Sequence, residues 1–385
     1  MASDPTGRNT RLSLTIAHAE LASWLRDSAY PLWSTHGMDL VRGGFHERLT
    51  MEGQPLAEAR RARVQPRQAY AFAMAPALGW KGDAAHAVTH ALDFFFAKYR
   101  RPDGFFFTLA DPEGAALDER VVLYDQAFAL LALAESQRVL GPRPDYVKEA
   151  AGLRTLIYRY FKRSNFGFDT GLPGRLPLLS NPHMHLFEAS LAWLAIDDDP
   201  AWRMLADEIA SLALRNFVDP VSGALRETFD AQWRPFAGTA GQIVEPGHQF
   251  EWAWLLLRWS ERGHPPARSV ALRLIEVGEQ HGVRRGVAIN SLLDDFSVKD
   301  GTARLWPQTE RIKAALIAAR LTGEARYWAM ADAAVQGFRR FLDTRMTGLW
   351  HDRLTLENDF VNEPAPASSF YHIVAAIKEL ADSVN

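Results

Sequence analysis

Apolar residues recur at helical spacing in twelve stretches of this chain, and short alternating runs led by glycine separate them in pairs. The spacing predicts helices near 13–34, 64–79, 83–99, 118–140, 146–161, 182–197, 200–215, 247–262, 267–281, 307–321, 325–343 and 366–383. Stretches such as "ALDFFFAKY" and "DQAFALLALAE" keep this spacing over lengths too great for strands. Glycine and proline punctuate them, as in "GPRPD" at 141–145 and "GHPP" at 263–266. The glycine-led runs occur six times: "GGFHERL" at 43–49, "DGFFFTL" at 103–109, "FGFDTGL" at 166–172, "SGALRETF" at 222–229, "RGVAINSLL" at 285–293 and "TGLWHDRL" at 347–354. Successive copies lie 56 to 63 residues apart. Glycine opens a turn, and the alternation after it reads as a brief strand.

A unit of two helices and a small hairpin cannot bury its apolar face alone, so the six units must stack. An open solenoid is one solution, and a closed ring of inner and outer helices is the other. The helices that open each pair, such as "HQFEWAWLLLRW" and "HLFEASLAWLA", are apolar around most of their circumference. That suits burial on both sides. The pattern therefore predicts an all-α fold: an (α/α)6 barrel of six helical hairpins, with short β-hairpins in the loops at one end. No shift of composition marks a linker, so residues 1–385 read as a single catalytic domain.

A hydrophobic content of 48% fits a globular protein with a large core, and a net charge of −3 argues against a nucleic-acid partner. No run of 18 apolar residues offers a membrane span. The start, "MASDPTGRNTRLSL", lacks the apolar segment of a signal peptide. Cysteine is absent, which removes disulfides, thiolate chemistry and Cys-type zinc sites and fits the cytoplasm. The 12 Trp and 22 Phe serve packing first, and aromatic faces also suit the C–H faces of pyranose rings. No Gly-x-Gly-x-x-Gly, Walker loop or Gly-x-Ser-x-Gly elbow occurs, so no cofactor is expected.

"SNPHMHLFEASLAW" and "EPGHQFEWAWLL" each hold His, two residues, then Glu: His185/Glu188 and His248/Glu251. The histidines are 63 residues apart, which matches the repeat. They are therefore expected at equivalent positions near the starts of neighbouring inner helices. By the same count Arg67, Tyr124, Trp306 and His372 lie near the starts of the other inner helices, and all converge on one mouth. Spaced three residues from its histidine, each glutamate shares a helix face with it and can orient the imidazole. The plain alternative is a first-turn carboxylate favoured by the helix dipole. Arg67 offers an always-charged fork suited to sugar oxygens or an enediolate. His-x-x-Glu reverses the Glu-x-x-His of di-iron bundles, no His-Glu-x-x-His is present, and no metal is expected. Glu188 and Glu251 could also be read as the carboxylate pair of a glycoside hydrolase.

Taken together, "RQAYAFA" with Arg67, "YDQAFALLAL" with Tyr124, "NPHMHLFEA" with Asn181, His185 and Glu188, "EPGHQFEWAWLL" with His248 and Glu251, "LWPQTE" with Trp306 and "SSFYHI" with His372 resemble the N-acylglucosamine 2-epimerase superfamily. The resemblance runs in order from about residue 20 to 383. It implies metal-free interconversion of reducing sugars on an (α/α)6 barrel. It implies catalytic roles for His185, His248 and His372, and sugar binding by Arg67, Tyr124, Asn181 and Trp306. Cellobiose 2-epimerases of this family carry a Trp shortly before the last His, whereas this chain has "NEPAPASSFYHI". The departure favours a monosaccharide. The expected activity is aldose–ketose isomerisation of mannose and fructose or a close relative, with a sugar 2-epimerase as the alternative. His248 and His372 are expected to be the acid/base pair, with His185 assisting ring opening or binding. The expected state is a monomer or homodimer without nucleic-acid or membrane partners.

Overall fold

The computed structural model describes residues 5–384. Twelve helices of eight or more residues run through them, close to the predicted stretches. Helix α1 covers 5–37, and its second half is loosened by two π-type segments. The others are α2 (Val64–Met74), α3 (Ala84–Tyr99), α4 (Leu123–Glu135), α5 (Pro144–Tyr160), α6 (Ser180–Trp193), α7 (Pro200–Leu212), α8 (Pro246–Ser260), α9 (Pro266–Gly282), α10 (Leu305–Thr322), α11 (Ala325–Arg339) and α12 (Ser368–Val384).

Two boundaries differ from the sequence reading for local reasons. The stretch predicted as a helix from 118 starts at Leu123. Asp118 turns the chain by accepting the Arg120 N–H, and the β-branched Val121 and Val122 then pair with Leu172 and Gly171. The stretch predicted to 79 ends its α-helix at Met74, because Pro76 cannot donate and a 3₁₀ turn over Pro76–Leu78 follows.

Helices α2, α4, α6, α8, α10 and α12 each pack on the next, and α12 packs on α2, so the inner helices form a closed ring. Helices α3, α5, α7, α9, α11 and α1 lie outside it, against α2, α4, α6, α8, α10 and α12 respectively. Burial follows this division. Helix α6 is buried at Ser180 and from Pro182 to Trp193, whereas α7 buries only a stripe of Trp202, Leu205, Ala206, Ile209, Ala210 and Leu212. The rings of Trp193 and Trp202 stack at 5.1 Å and pin one helix to the other.

The glycine-led runs form the rim. In each, at least one glycine takes a positive φ, from 68° at Gly44 to 101° at Gly348, where a side chain would be strained. The turn folds the run back on the tail of an outer helix, so that Met38 bridges Phe45, Arg100 bridges Phe106, Lys162 bridges Phe168 and Val218 bridges Leu225. Each run then pairs with the segment that leads into an inner helix. The pairs are 60–61 with 109–110, 121–122 with 171–172, 178–179 with 228–229, Val244 with Leu292, and 303–304 with 353–354. The last lead-in, 365–366, pairs with the first run at 48–49 and closes the rim.

A glutamine in the first turn of an inner helix clamps the hairpin behind it. Gln65, Gln126, Gln249 and Gln308 each accept the N–H and donate to the C=O of one hairpin residue: Phe45, Phe106, Leu225 and Ala288. In α6 the same place is held by His183, whose Nε2 accepts the Phe168 N–H at 3.1 Å. Gln249→Leu orphans two buried backbone groups, each worth about 1–3 kcal/mol. It should lower stability by roughly 2–5 kcal/mol in urea unfolding on that scale. A change below about 0.5 kcal/mol, the usual range for neutral surface sites, would show the clamp to be incidental.

Candidate active site

The mouth at the rim end opens into a cup of about 360 Å³. Arg67, Tyr124, Asn181, His185, His248, Glu251, Trp306 and His372 all line it, eight of the nine residues singled out in the sequence. Arg61, Arg63, Glu245, Arg304, Asp352, Ser368 and Ser369 complete most of the wall. Glu188 does not reach the cup. It lies beneath the floor, where it accepts from His185 Nδ1 at 3.3 Å and from the Tyr371 hydroxyl. A hydrolytic carboxylate pair of Glu188 and Glu251 therefore lacks one member at the cup surface.

Arg67 is held from two sides. It donates to the Tyr124 hydroxyl and to the Ser368 carbonyl at 3.1 Å, with its guanidinium 4.2 Å from the Phe128 ring centroid. Trp306 lies 5.0 Å from the His248 ring and 5.8 Å from the His372 ring, between the two. It packs over the first turn of α8 at Gly247, where any side chain would collide with it. Asn181 Oδ1 is buried without a protein partner and lines the cup.

The equivalence expected of His185 and His248 is corrected by the hairpin clamps. His183 takes the place of Gln249, so His185 matches Glu251 and His248 matches Pro182. The two His-x-x-Glu pairs are offset by three residues, almost one helical turn. The cause is loop length: 15 residues separate Phe168 from His183, but 24 separate Leu225 from Gln249. On the same alignment Arg67, His185, Glu251 and Glu310 share one level, His372 brings a ring nitrogen within 4.8 Å of the carboxylate oxygens of Glu251 and Glu310, and His248 stands one turn nearer the rim.

The offset changes the partners. His185 and Glu188 pair as expected, but Glu251 does not orient His248. His248 Nδ1 is 2.9 Å from Glu227 Oε2 and 3.6 Å from Glu245 Oε2. His372 Nδ1 is 2.8 Å from Glu310 Oε1. Glu227 and Glu310 are partners of these histidines that the sequence reading missed, although both stand in motifs it quoted, "SGALRETF" and "LWPQTE". The available signal for Glu227 is its place two residues past the clamped Leu225, where Glu47 and Asp352 stand in other repeats.

Each imidazole thus commits Nδ1 to a carboxylate and leaves Nε2 without a partner among the described residues. Their charge states differ. Burial lowers His185 to about 4 despite Glu188, so it is neutral. Burial also pushes His372 well below the usual value, reinforced by the charges of Arg67 and Lys313. Burial pulls His248 down too, but Glu227 and Glu245 outweigh it and raise the ring to about 10. At neutral pH the cup therefore holds one imidazolium and two neutral imidazoles.

Below the floor lies a buried charged layer. Lys313 Nζ is 2.6 Å from Glu310 Oε2 and 3.8 Å from the centroid of the Trp254 ring. Burial opposes ionisation of Glu188, yet His185 and Lys313 hold it at about 2. Burial and Glu310 push Glu251 well above the ordinary carboxylate range. Among the described residues, two groups bring metal-ligand atoms within 4.8 Å of one another: His185/Glu188/Glu251 and Glu251/Glu310/His372. The Lys313 ammonium already supplies a cation to these carboxylates.

A family model described as N-acylglucosamine 2-epimerase (GlcNAc 2-epimerase) matches residues 43–376. A mannose-6-phosphate isomerase of Rhizobium meliloti (strain 1021) is 50% identical over 380 residues, which cover 96% of this chain and 98% of that protein. A D-mannose isomerase of Thermobifida fusca is 28% identical over 377 residues, 89% of each chain. Among solved structures, the cellobiose 2-epimerase of Spirochaeta thermophila DSM 6192 superposes with a TM-score of 0.85 at 23% identity, covering 100% of this chain and 98% of its own. The last comparison speaks to the helical barrel fold alone.

Proposed function

The chain belongs to the N-acylglucosamine 2-epimerase family, and we propose that within it this enzyme is an aldose–ketose isomerase acting on a mannose-type monosaccharide. The observation that carries the proposal is the convergence on one cup of two histidines whose Nδ1 atoms are each held by a carboxylate, His248 by Glu227 and His372 by Glu310. The closed inner ring and the six-part rim support a single (α/α)6-barrel domain as its frame.

The chemistry follows from the charge states of the three rings. Ring opening moves a proton from the anomeric hydroxyl to the ring oxygen. The neutral His185 accepts the first, and the His248 imidazolium donates the second. The two rings then exchange that proton and return to their starting states. His372 next removes the C2 proton of the open aldose while His248 protonates O1. The Arg67 guanidinium stabilises the negative charge that develops on the enediolate oxygens. His372, its proton exchanged with solvent, then protonates C1 as His248 recovers a proton from O2, which gives the ketose. Asn181, Tyr124 and Trp306 hold the sugar, and Glu188 and Glu251 act from the floor. Lys313 stands where a metal would otherwise balance the carboxylates, which supports metal-free chemistry.

A phosphorylated sugar is the second reading. Arg61, Arg63 and Arg304 stand in the wall besides Arg67, and the Rhizobium relative is named for such a substrate. One experiment covers these points: EDTA-dialysed enzyme in deuterium oxide with mannose or mannose 6-phosphate, followed by proton NMR. A ketose carrying deuterium at a single C1 position is expected, and the faster sugar identifies the substrate. Deuterium appearing first at C2 of the epimeric aldose would make the enzyme an epimerase. Activity lost on dialysis and restored by one divalent metal would overturn the metal-free mechanism.

A further inference from the structure

Among the described residues Lys313 is the one wholly buried lysine, and it lies in the layer beneath the cup. An isolated buried ammonium is costly, and a methionine of similar length would fill the same space. Lys313 is instead wired to the reacting end of the molecule. Its Nζ sits 2.6 Å from one oxygen of Glu310, and the other oxygen of Glu310 is 2.8 Å from His372 Nδ1. Lysine and glutamate are three residues apart on α10, so one helix face presents both. We infer that Lys313 is a positioning residue, an internal cation that balances Glu310 and its buried neighbours and so holds His372 as a proton acceptor. This rests on the reading of His372 as the base.

The surroundings set the sign. His372 faces Arg67 from α2, His185 and Glu188 from α6, Glu251 from α8, and Glu310 and Lys313 from α10. On its own helix Tyr371 adjoins it and gives its hydroxyl to Glu188. Glu188, Glu310 and the Glu251 carboxyl, which burial pushes well above the usual range, thus surround one ammonium below the ring. Burial and the charges of Arg67 and Lys313 lower the His372 value, and Glu188 works the other way. Without the ammonium, the carboxylates retain their pull for a proton and His372 becomes the ring that takes it. A protonated His372 cannot remove the C2 proton.

The test is the pH profile of kcat/KM, whose acidic limb reports the base of the free enzyme. In Lys313→Met the acidic limb should move up by at least about one pH unit, the direction expected when a nearby positive charge is lost. Turnover should fall on the acidic side of the shifted limb and recover toward that of the native enzyme as pH rises. Lys313→Gln, which keeps a donor toward Glu310, should show the same shift and carries the test if the methionine variant does not fold. Lys313→Arg keeps the charge and should leave the limb in place even where it slows turnover. A limb unmoved in both neutral variants, or a loss uniform across pH, would reduce Lys313 to a packing role and overturn the inference. His372→Ala in the same series separates the two ideas, since near-native turnover there removes the base itself rather than its cation.

Discussion

His372→Ala should turn over its sugar at least about 100-fold more slowly than the native enzyme, the lower end of what general acid–base catalysis contributes. The ring is almost fully buried, lines the cup and holds its Nδ1 on Glu310, so no neighbouring group replaces its Nε2. The fold should survive, because Glu310 keeps its ion pair with Lys313 when the imidazole is gone. His248→Ala should lose a similar factor for a different reason. It removes the single imidazolium of the cup and leaves Glu227 and Glu245 facing each other without it. Washout of the C2 proton in deuterium oxide distinguishes the two: the His372 variant should no longer wash out that proton even with substrate bound. Near-native kcat in either purified variant with a native melting curve would end the assignment.

The repeat was legible because its signals are local. Glycine turns at Gly44 or Gly223 and apolar helices such as α6 and α8 are written into a few adjacent residues each. Closure of the ring was legible only as an inference, since it depends on pairing between residues 48–49 and 365–366 at opposite ends of the chain. The site residues were found because they cluster at helix starts, and helix starts share one end. Their register was not, because loop length differs between repeats and a histidine, His183, replaces the expected glutamine clamp. A period counted from histidine to histidine therefore pointed Glu251 at His248 when Glu227, from a hairpin, holds that ring. Lys313 in "RIKAALIAAR" carries no local sign of burial. Only the carboxylates brought by α6 and α8, together with Glu310 one turn back, explain it.

Glu227→Gln tests the other half of the acid/base pair, and its expected effect lies at the alkaline end. Burial alone would lower His248, and Glu227 followed by Glu245 raises it to about 10. The native alkaline limb of kcat/KM should therefore fall near pH 10, where His248 loses its proton. The amide keeps the shape of Glu227 and a partner for Ser180 but removes the closest negative charge. The limb should drop by at least about one to two units, the usual effect of a charge within hydrogen-bond distance. At pH 9 a drop of one to two units from about 10 means roughly a twofold to tenfold loss of the protonated acid. The acidic limb, set by His372 and its separate carboxylate Glu310, should stay in place. Stability follows the same sign. A ring raised from 6.5 to about 10 contributes stability fully below 6.5 and loses it as pH climbs through 10. Melting temperatures of the native enzyme should therefore fall between pH 6.5 and 10 more steeply than those of Glu227→Gln. An alkaline limb that does not move in the glutamine variant would mean that His248 is not the acid, and that the proton for the sugar oxygen comes from elsewhere in the cup.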